Sequence, residues 1–346
     1  MATEIAAGSA EEVLRAEMVA AVSDNPALEV TRKLKDRGDR GNALVERSLL
    51  AAASDELLAR AVAWAVDGDA SGRADRAVGA LVGLAVADWV GAPLEFLELS
   101  EDPGESRWDH DAFTWYNPNT LDPERGILKM GQFTDDTSMA LCLADSLITQ
   151  RGFDGSDVRL RFWSWQAEGL NNTFRFDTSH RNRKSFGLGY NIAKSLFALA
   201  PGAPVDPTYI NPGSSDSGNG GLMRLAPVPI FYAAADKLEI AMDIAGRSSL
   251  TTHPGSFATE CARFQAYLVH RAINASSEMR AQGARSFLEV ACDEYADRLR
   301  HQLSAVDGAG GDDDGDAASE RFARQELLAL VTSSKEGDTE QCWNWR

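Results

Sequence analysis

Residues 131–139 read GQFTDDTSM, so Thr134, Asp135, Asp136 and Thr137 lead into the apolar run at 140–144. Two adjacent carboxylates at the start of a helix repel each other and lose hydration, so they demand compensation. Thr134 is placed to cap the helix, and the helix's positive end offsets part of the charge on Asp135 and Asp136. A bound cation would offset far more. Two solvated acids in a first helical turn are the plainer reading, and these four residues alone do not choose between the two.

Four further segments carry residue types suited to chemistry. In Asp88-Trp89-Val90-Gly91-Ala92-Pro93-Leu94-Glu95-Phe96 an apolar helix runs into an acid, then Gly and Pro, then a second acid. A helix stop with incidental carboxylates fits that segment equally well. Phe176-Asp177-Thr178-Ser179 sets an acid in a polar loop. Ser217-Gly218-Asn219-Gly220-Gly221-Leu222-Met223-Arg224 frees backbone N–H groups that can approach a phosphate, with Asn219 and Arg224 as added donors. A plain turn is its alternative. Thr251-Thr252-His253-Pro254 holds one histidine, a residue type that more often packs or caps than binds.

These segments need elements to hold them. Residues 76–88 predict an apolar helix with Gly79 and Gly83 on one face. Glycine costs about 1 kcal/mol in a helix interior, so the pair predicts close packing against a neighbour. Helical patterns also run through 137–149, 157–168, 187–198, 236–247, 256–273, 284–303 and 319–332. Loops rich in Gly, Pro, Asn, Ser and Asp lie at 100–131, 170–186, 199–224 and 306–318. The β-branched alternation of a large sheet is not seen, so the predicted class is all-α, a multi-helix domain with function on the loops between helices.

The first 72 residues stand apart by composition. Ser9 and Glu12 have capping-box spacing ahead of Val13, Leu14 and Met18, and 45–66 is a Leu- and Ala-rich helical pattern. This predicts a helical N-terminal extension over 1–72, ending at Asp67-Gly68-Asp69-Ala70-Ser71-Gly72, and a main domain over 73–346. The acidic run DGAGGDDDGD at 307–316 lacks the glycine and glutamate that a calcium loop places at its sixth and twelfth positions. It reads as a solvated linker within 306–318.

With 34 Lys and Arg against 52 Asp and Glu, the net charge of −18 repels nucleic acid and anionic lipid, so neither is an expected partner. The local patch His180-Arg181-Asn182-Arg183-Lys184 could still serve one small anionic ligand. No uninterrupted apolar stretch approaches the ~20 residues of a membrane span. The acidic start MATEIAAGSAEEVLRAEM lacks the basic and apolar regions of a secretory signal, which predicts a cytoplasmic protein. Cys142, Cys261, Cys292 and Cys342 form no CxxC pair and read as reduced packing thiols.

In order, the acid–Gly–Pro–Glu segment, TDDT, FD, GNGGLMR and TTHP resemble the ADP-ribosylglycohydrolase family, the ADP-ribosyl-acceptor hydrolases, over about residues 73–270. The resemblance implies a compact all-α domain holding two Mg²⁺ ions. It implies hydrolysis of the bond between the terminal ribose of ADP-ribose and an acceptor, either a protein side chain or a small conjugate. Carried over by motif, Thr134, Asp135 and Asp136 match the first set of metal ligands, and Asp135 and Asp136 with Glu95 the catalytic acids. Asp177 resembles the aspartate of the FDxG-type loop, with Ser179 where glycine is usual. Asn219, Gly220 and Gly221 match the ADP-ribose loop, Arg224 adds a donor, and His253 matches a histidine lining the nucleotide site. Asp88 follows Ala87 where the family usually has Gly-Asp.

The family also places a second acidic motif, G-D-x-D-T, on a late helix to complete both metal sites. The chain ends at Cys342-Trp343-Asn344-Trp345-Arg346 without it, and the 310–316 run lacks the threonine and the apolar helix that would make it a substitute. The expectation is a C-terminally incomplete chain. Three functions follow as alternatives: a Mg²⁺-dependent ADP-ribosyl hydrolase, a noncatalytic ADP-ribose-binding module, and a metal-free glycosidase using Asp135 and Glu95 as paired carboxylates. Arginine N-glycosides, serine O-glycosides, poly(ADP-ribose) ends and small esters or phosphates all stay open as the linkage, because specificity sits in loop shape. Trp108, Trp115 and Tyr116 of the long 97–131 loop are candidates for an acceptor-side wall, or for the core.

Overall fold

The computed structural model describes residues 55–92, 128, 131–174, 177, 185, 187–199, 205–210, 217–307 and 315–333. Among these, every regular element is helical. The chain divides into two compact units, one of Met1–Gly189 with Leu199–Val205, the other of Tyr190–Ala198 with Asp206–Arg346.

In the first unit the described elements are α1 (Asp55–Ala63), a π-helical turn (Trp64–Gly68), α2 (Arg73–Gly91), α3 (Asp135–Gln150) and α4 (Gly155–Glu168). The Asp69 side chain accepts from the Ala74 N–H, 2.7 Å, and from Ser71, and so opens α2. The Ala74 bond leads in pulling the Asp69 carboxyl down to about 2. α4 begins where the Asp154 carboxylate accepts from the Ser156 and Asp157 N–H groups. It stops at Gly169, whose φ of 80° lets Gly169 and Leu170 donate back to Trp165 and Ser164. α3 packs on both α2 and α4. Met139, Cys142, Leu143 and Leu147 of α3, and Val158, Phe162 and Trp165 of α4, recur at helical spacing and are wholly or almost wholly buried. Each of the large side chains contributes about 1.5–3 kcal/mol by leaving water.

The second unit holds α5 (Tyr190–Phe197), a 3₁₀ turn (Asn219–Gly221), α6 (Pro227–Phe231), a second 3₁₀ turn (Ala235–Lys237), α7 (Leu238–Ser249), α8 (Ser256–Ile273), α9 (Ser277–Ala281), α10 (Gly283–Asp307) and α11 (Gly315–Val331). α8 is central, lying against α6, α7, α10 and α11. Its core joins Phe264 and Tyr267 to Met242, Cys292, Tyr295, Leu299, Leu327 and Val331. The buried Glu260 ties α8 to α11, accepting from Arg263 at 2.7 Å and pairing with Arg324 at 3.3 Å.

Among the described residues the helices expected from 76 onward form, with ends shifted by a few residues. One packing expectation is overturned. Among the described residues nothing lies within 4 Å of a Cβ added at Gly79 or Gly83. Both share the outer face of α2 with Val78, Val82 and Val86, which are exposed, while Asp88 on the opposite face is the buried residue of that helix. Cys142 and Cys292 are buried free thiols, and Cys261 is a partly buried one whose pKa burial raises to about 12. Residues 1–54, most of the 97–131 loop with its aromatics, the 180–184 patch, the middle of the acidic run and Cys342 lie outside the described residues.

Candidate functional site

In the first unit the TDDT segment is organised by an acid 46 residues upstream of Thr134. Asp88 is 9% exposed, and its carboxylate accepts from the backbone N–H and hydroxyl of both Thr134 and Thr137. The hydroxyl bonds are 2.8 Å from Thr134 and 2.7 Å from Thr137, and the N–H bonds are both 3.0 Å. This corrects the expected cap. Thr134 does hold the cap position of α3, but its side chain makes no capping bond to its own helix. Two of the N–H groups at the helix start, those of Thr134 and Thr137, are satisfied by Asp88, from the end of a neighbouring helix. The consequence is geometric: the ends of α2 and α3 are buckled together, and Asp135 and Asp136 follow at fixed positions.

Asp135 is buried and Asp136 half-buried. Gly187 lies against Asp135 with φ of +84°, and an added Cβ there would overlap Asp135 Oδ1 and sit 3.0 Å from its Cγ. Only glycine fits that backbone and that space. Asp177 joins the same neighbourhood through Gln132, whose side-chain amide donates to Asp177 Oδ2 at 3.0 Å. The Phe133 N–H donates to the Thr173 hydroxyl at 2.8 Å, so the approach to TDDT is tied at two points, to Thr173 and to Asp177. Glu95 lies outside the described residues.

The donor set fits a hard divalent cation in kind. Thr134 gives its hydroxyl proton to Asp88, so the lone pairs that remain on Oγ1 are available to a cation. Two carboxylates and a hydroxyl suit Mg²⁺, which takes one or two carboxylates and keeps several waters. Among the described residues no three His, Cys, Asp or Glu side chains gather as a metal cluster.

In the second unit the glycine turn and the TTHP turn form one tightly packed body. A Cβ added at Gly220 would come to 2.5 Å from His253 Cε1, and one at Gly221 to 2.9 Å from Ser249 Cβ and 3.2 Å from its Cα. A Cβ added at Gly218 would lie less tightly, 3.1 Å from Asn191 Nδ2 and 3.3 Å from His253 Nε2. Gly220 and Gly221 are thus required by contact with His253 and Ser249, a reason the sequence did not disclose. Asn219 opens the 3₁₀ turn, its carbonyl accepting from Leu222 and Met223. Arg224 departs from its expected role as a ligand donor. Its side chain is fully buried, and Nη2 donates to Thr252 Oγ1 at 2.7 Å, Thr251 Oγ1 at 3.0 Å and the Ser248 carbonyl at 3.3 Å. A guanidinium held that way braces the TTHP turn from inside.

His253 is 2% exposed, with Nδ1 2.8 Å from Thr252 Oγ1. Burial first, and the nearby Arg224 charge second, push its pKa down to about 3. It is therefore neutral near pH 7. Folded and unfolded chains both carry a neutral imidazole well above 6.5, so this residue adds no pH dependence there. Below that, the unfolded chain takes up a proton that the folded one refuses, and stability falls. Wild type should lose about 1.4 kcal/mol more per pH unit than His253→Gln between about pH 5.5 and 4. Urea unfolding of both proteins across that range measures it, and parallel profiles would remove the buried neutral imidazole.

The sequence-predicted residues thus fall into two groups, one per unit: Thr134, Asp135, Asp136 and Asp177 in the first, and Asn219, Gly220, Gly221, Arg224 and His253 in the second. Gly187 and Thr252 were not singled out, and Asp88 was named without a role. Asp88 and Thr252 stand inside quoted motifs, whereas Gly187 has no local signal.

Residues 69–339 match the family model for ADP-ribosylglycohydrolase. The ADP-ribosylarginine hydrolase Tri1 of Pseudomonas putida (strain GB-1) is 30% identical over 236 residues, covering 66% of this chain and 57% of that protein. The Tri1 of Serratia proteamaculans (strain 568) is 31% identical over 208 residues, 60% of this chain and 50% of that protein. A solved structure described as an ADP-ribosylglycohydrolase-related protein complex aligns at 27% identity and TM-score 0.43, over 75% of this chain and 77% of that one. The chain spans about half the length of the curated relatives it matches. With the family model covering most of its length, the chain belongs to the ADP-ribosylglycohydrolase family.

Proposed function

We propose that this protein hydrolyses the N-glycosidic bond between ADP-ribose and an arginine side chain, in a Mg²⁺-dependent reaction. The observation that carries the reading is the Asp88 buckle, which fixes two adjacent acids and a threonine hydroxyl at one helix start. The two relatives described above, both named ADP-ribosylarginine hydrolase, support the linkage. An ADP-ribosylated protein is the corresponding partner.

Thr134, Asp135 and Asp136 would hold the metal, which supplies Lewis acidity toward the ribose oxygens and the nucleophilic water. Asp88 keeps the Thr134 hydroxyl oriented, and Gly187 leaves room for the Asp135 carboxylate beside it. Glu95, by its place in the motif, orients or deprotonates the water. Water adds to the anomeric carbon, the C–N bond breaks, and the leaving guanidine carries away the proton. Asn219, Gly220 and Gly221, with the neutral His253 behind them, serve the nucleotide end of the substrate.

The deciding assay combines ADP-ribosylarginine, an ADP-ribosylated protein and free ADP-ribose with and without Mg²⁺. Turnover that stops on chelation and returns with Mg²⁺ is the expected result. ADP-ribose binding without any turnover would assign a binding module instead, and turnover surviving the chelator would assign a metal-free glycosidase.

A further inference from the structure

The Arg224–Thr252–His253 chain has a direction. Arg224 is a donor only, since a guanidinium has no lone pair to offer. It donates to Thr251 and Thr252, 3.0 and 2.7 Å. Thr251 passes its own hydroxyl proton to the Ser248 carbonyl at 2.7 Å. Thr252 has the His253 ring nitrogen Nδ1 as its other neighbour, 2.8 Å away. Both threonines are fully buried. If Nδ1 carried the ring proton, the Thr252 hydroxyl would face donors on two sides and its own proton would be buried without an acceptor. That arrangement is disfavoured by about fivefold to a hundredfold. The single proton of the neutral ring therefore belongs on Nε2, and Nε2 faces the glycine turn, 3.0 and 3.3 Å from where Cβ atoms of Gly220 and Gly218 would lie.

We propose that Thr252 is a positioning residue: braced by Arg224, it locks His253 as the Nε2–H form and so aims one hydrogen-bond donor at the Gly218–Gly220 turn, for an oxygen of the nucleotide sugar. The ligand half of this statement rests on the function proposed above; the proton half does not. A donor fixed in this way selects for acceptor atoms on the ligand. It also brings no positive charge to the turn, so it discriminates by direction and leaves the charge balance of the ligand untouched.

The test is long-range ¹H–¹⁵N NMR of the histidine rings at pH 7, with His253 assigned by its disappearance in His253→Gln. Wild type should show Nε2–H, with a pattern unchanged down to pH 5. Thr252→Val should lose that preference and bind ADP-ribose about tenfold more weakly in calorimetric titration, and Thr252→Ser should restore both. An Nδ1–H pattern in wild type overturns the proposal, as does Thr252→Val with unchanged pattern and affinity. Should Thr252→Val fail to fold, the wild-type pattern together with Thr252→Ser still decides. Wild type that shows Nε2–H but binds no ADP-ribose refutes the proposed ligand while leaving the proton assignment standing.

Discussion

Asp88→Ala should cost this protein about 3–5 kcal/mol of stability. The carboxylate accepts from four donors, two backbone N–H groups and two hydroxyls, on Thr134 and Thr137, which are each only 4% exposed. Removing it strands those donors in a place water reaches poorly, and each stranded group costs about 1–3 kcal/mol before relaxation. Asp88→Asn is the sharper variant. Its amide oxygen can still accept from one threonine, but its NH₂ group then faces the other threonine's donors, so about half the loss remains. Urea unfolding should rank wild type above Asp88→Asn above Asp88→Ala. Mg²⁺ affinity should fall about 10–100-fold in Asp88→Asn, the usual effect of loosening a group that orients metal ligands. An asparagine variant as stable as wild type would mean that the buckle between α2 and α3 does not form.

Much of this architecture is legible without coordinates because helices announce themselves locally. α4 has its aspartate cap, its glycine stop and apolar residues at helical spacing within fifteen positions. The candidate acids were legible too, because two adjacent carboxylates before an apolar run are chemically conspicuous. What stayed hidden was set by partners distant in the chain. Thr134 has the identity of a cap, and only the arrival of Asp88 on the Thr137 N–H changes its job. Gly79 and Gly83 have the spacing of a packing face, yet spacing does not say which face of α2 meets a neighbour, and the buried one carries Asp88. Arg224 beside three glycines has the composition of an anion site. Its orientation was decided by Thr251 and Thr252, nearly thirty residues later. In each case the residue type was right for two roles, and long-range packing chose one.

Asp135→Ala and Asp136→Ala should show the opposite signature to Asp88: a loss of turnover of about a thousandfold or more, at little or no cost in stability. A thousandfold corresponds to about 4 kcal/mol of transition-state stabilisation, within reach of one metal ligand. Stability is expected to change little because two terms oppose each other. An acid in the first turn gains about 0.3–1 kcal/mol from the helix's positive end. Its like-charged neighbour, with both partly out of water, takes a similar amount back. Asp135, buried beside Gly187, should be the more sensitive to stability, and the half-buried Asp136 the less. Circular dichroism should find the helix content of both variants unchanged. Acids whose removal abolishes turnover and leaves the fold as stable as before are there for what they bind. If either alanine variant retained wild-type turnover, the acids at the start of α3 would be ordinary members of a helical first turn. The separation of the two signatures is what makes the pair informative: a loss of stability at Asp88 marks a group that builds the helix start, and a loss of turnover alone at Asp135 and Asp136 marks groups that serve the proposed reaction.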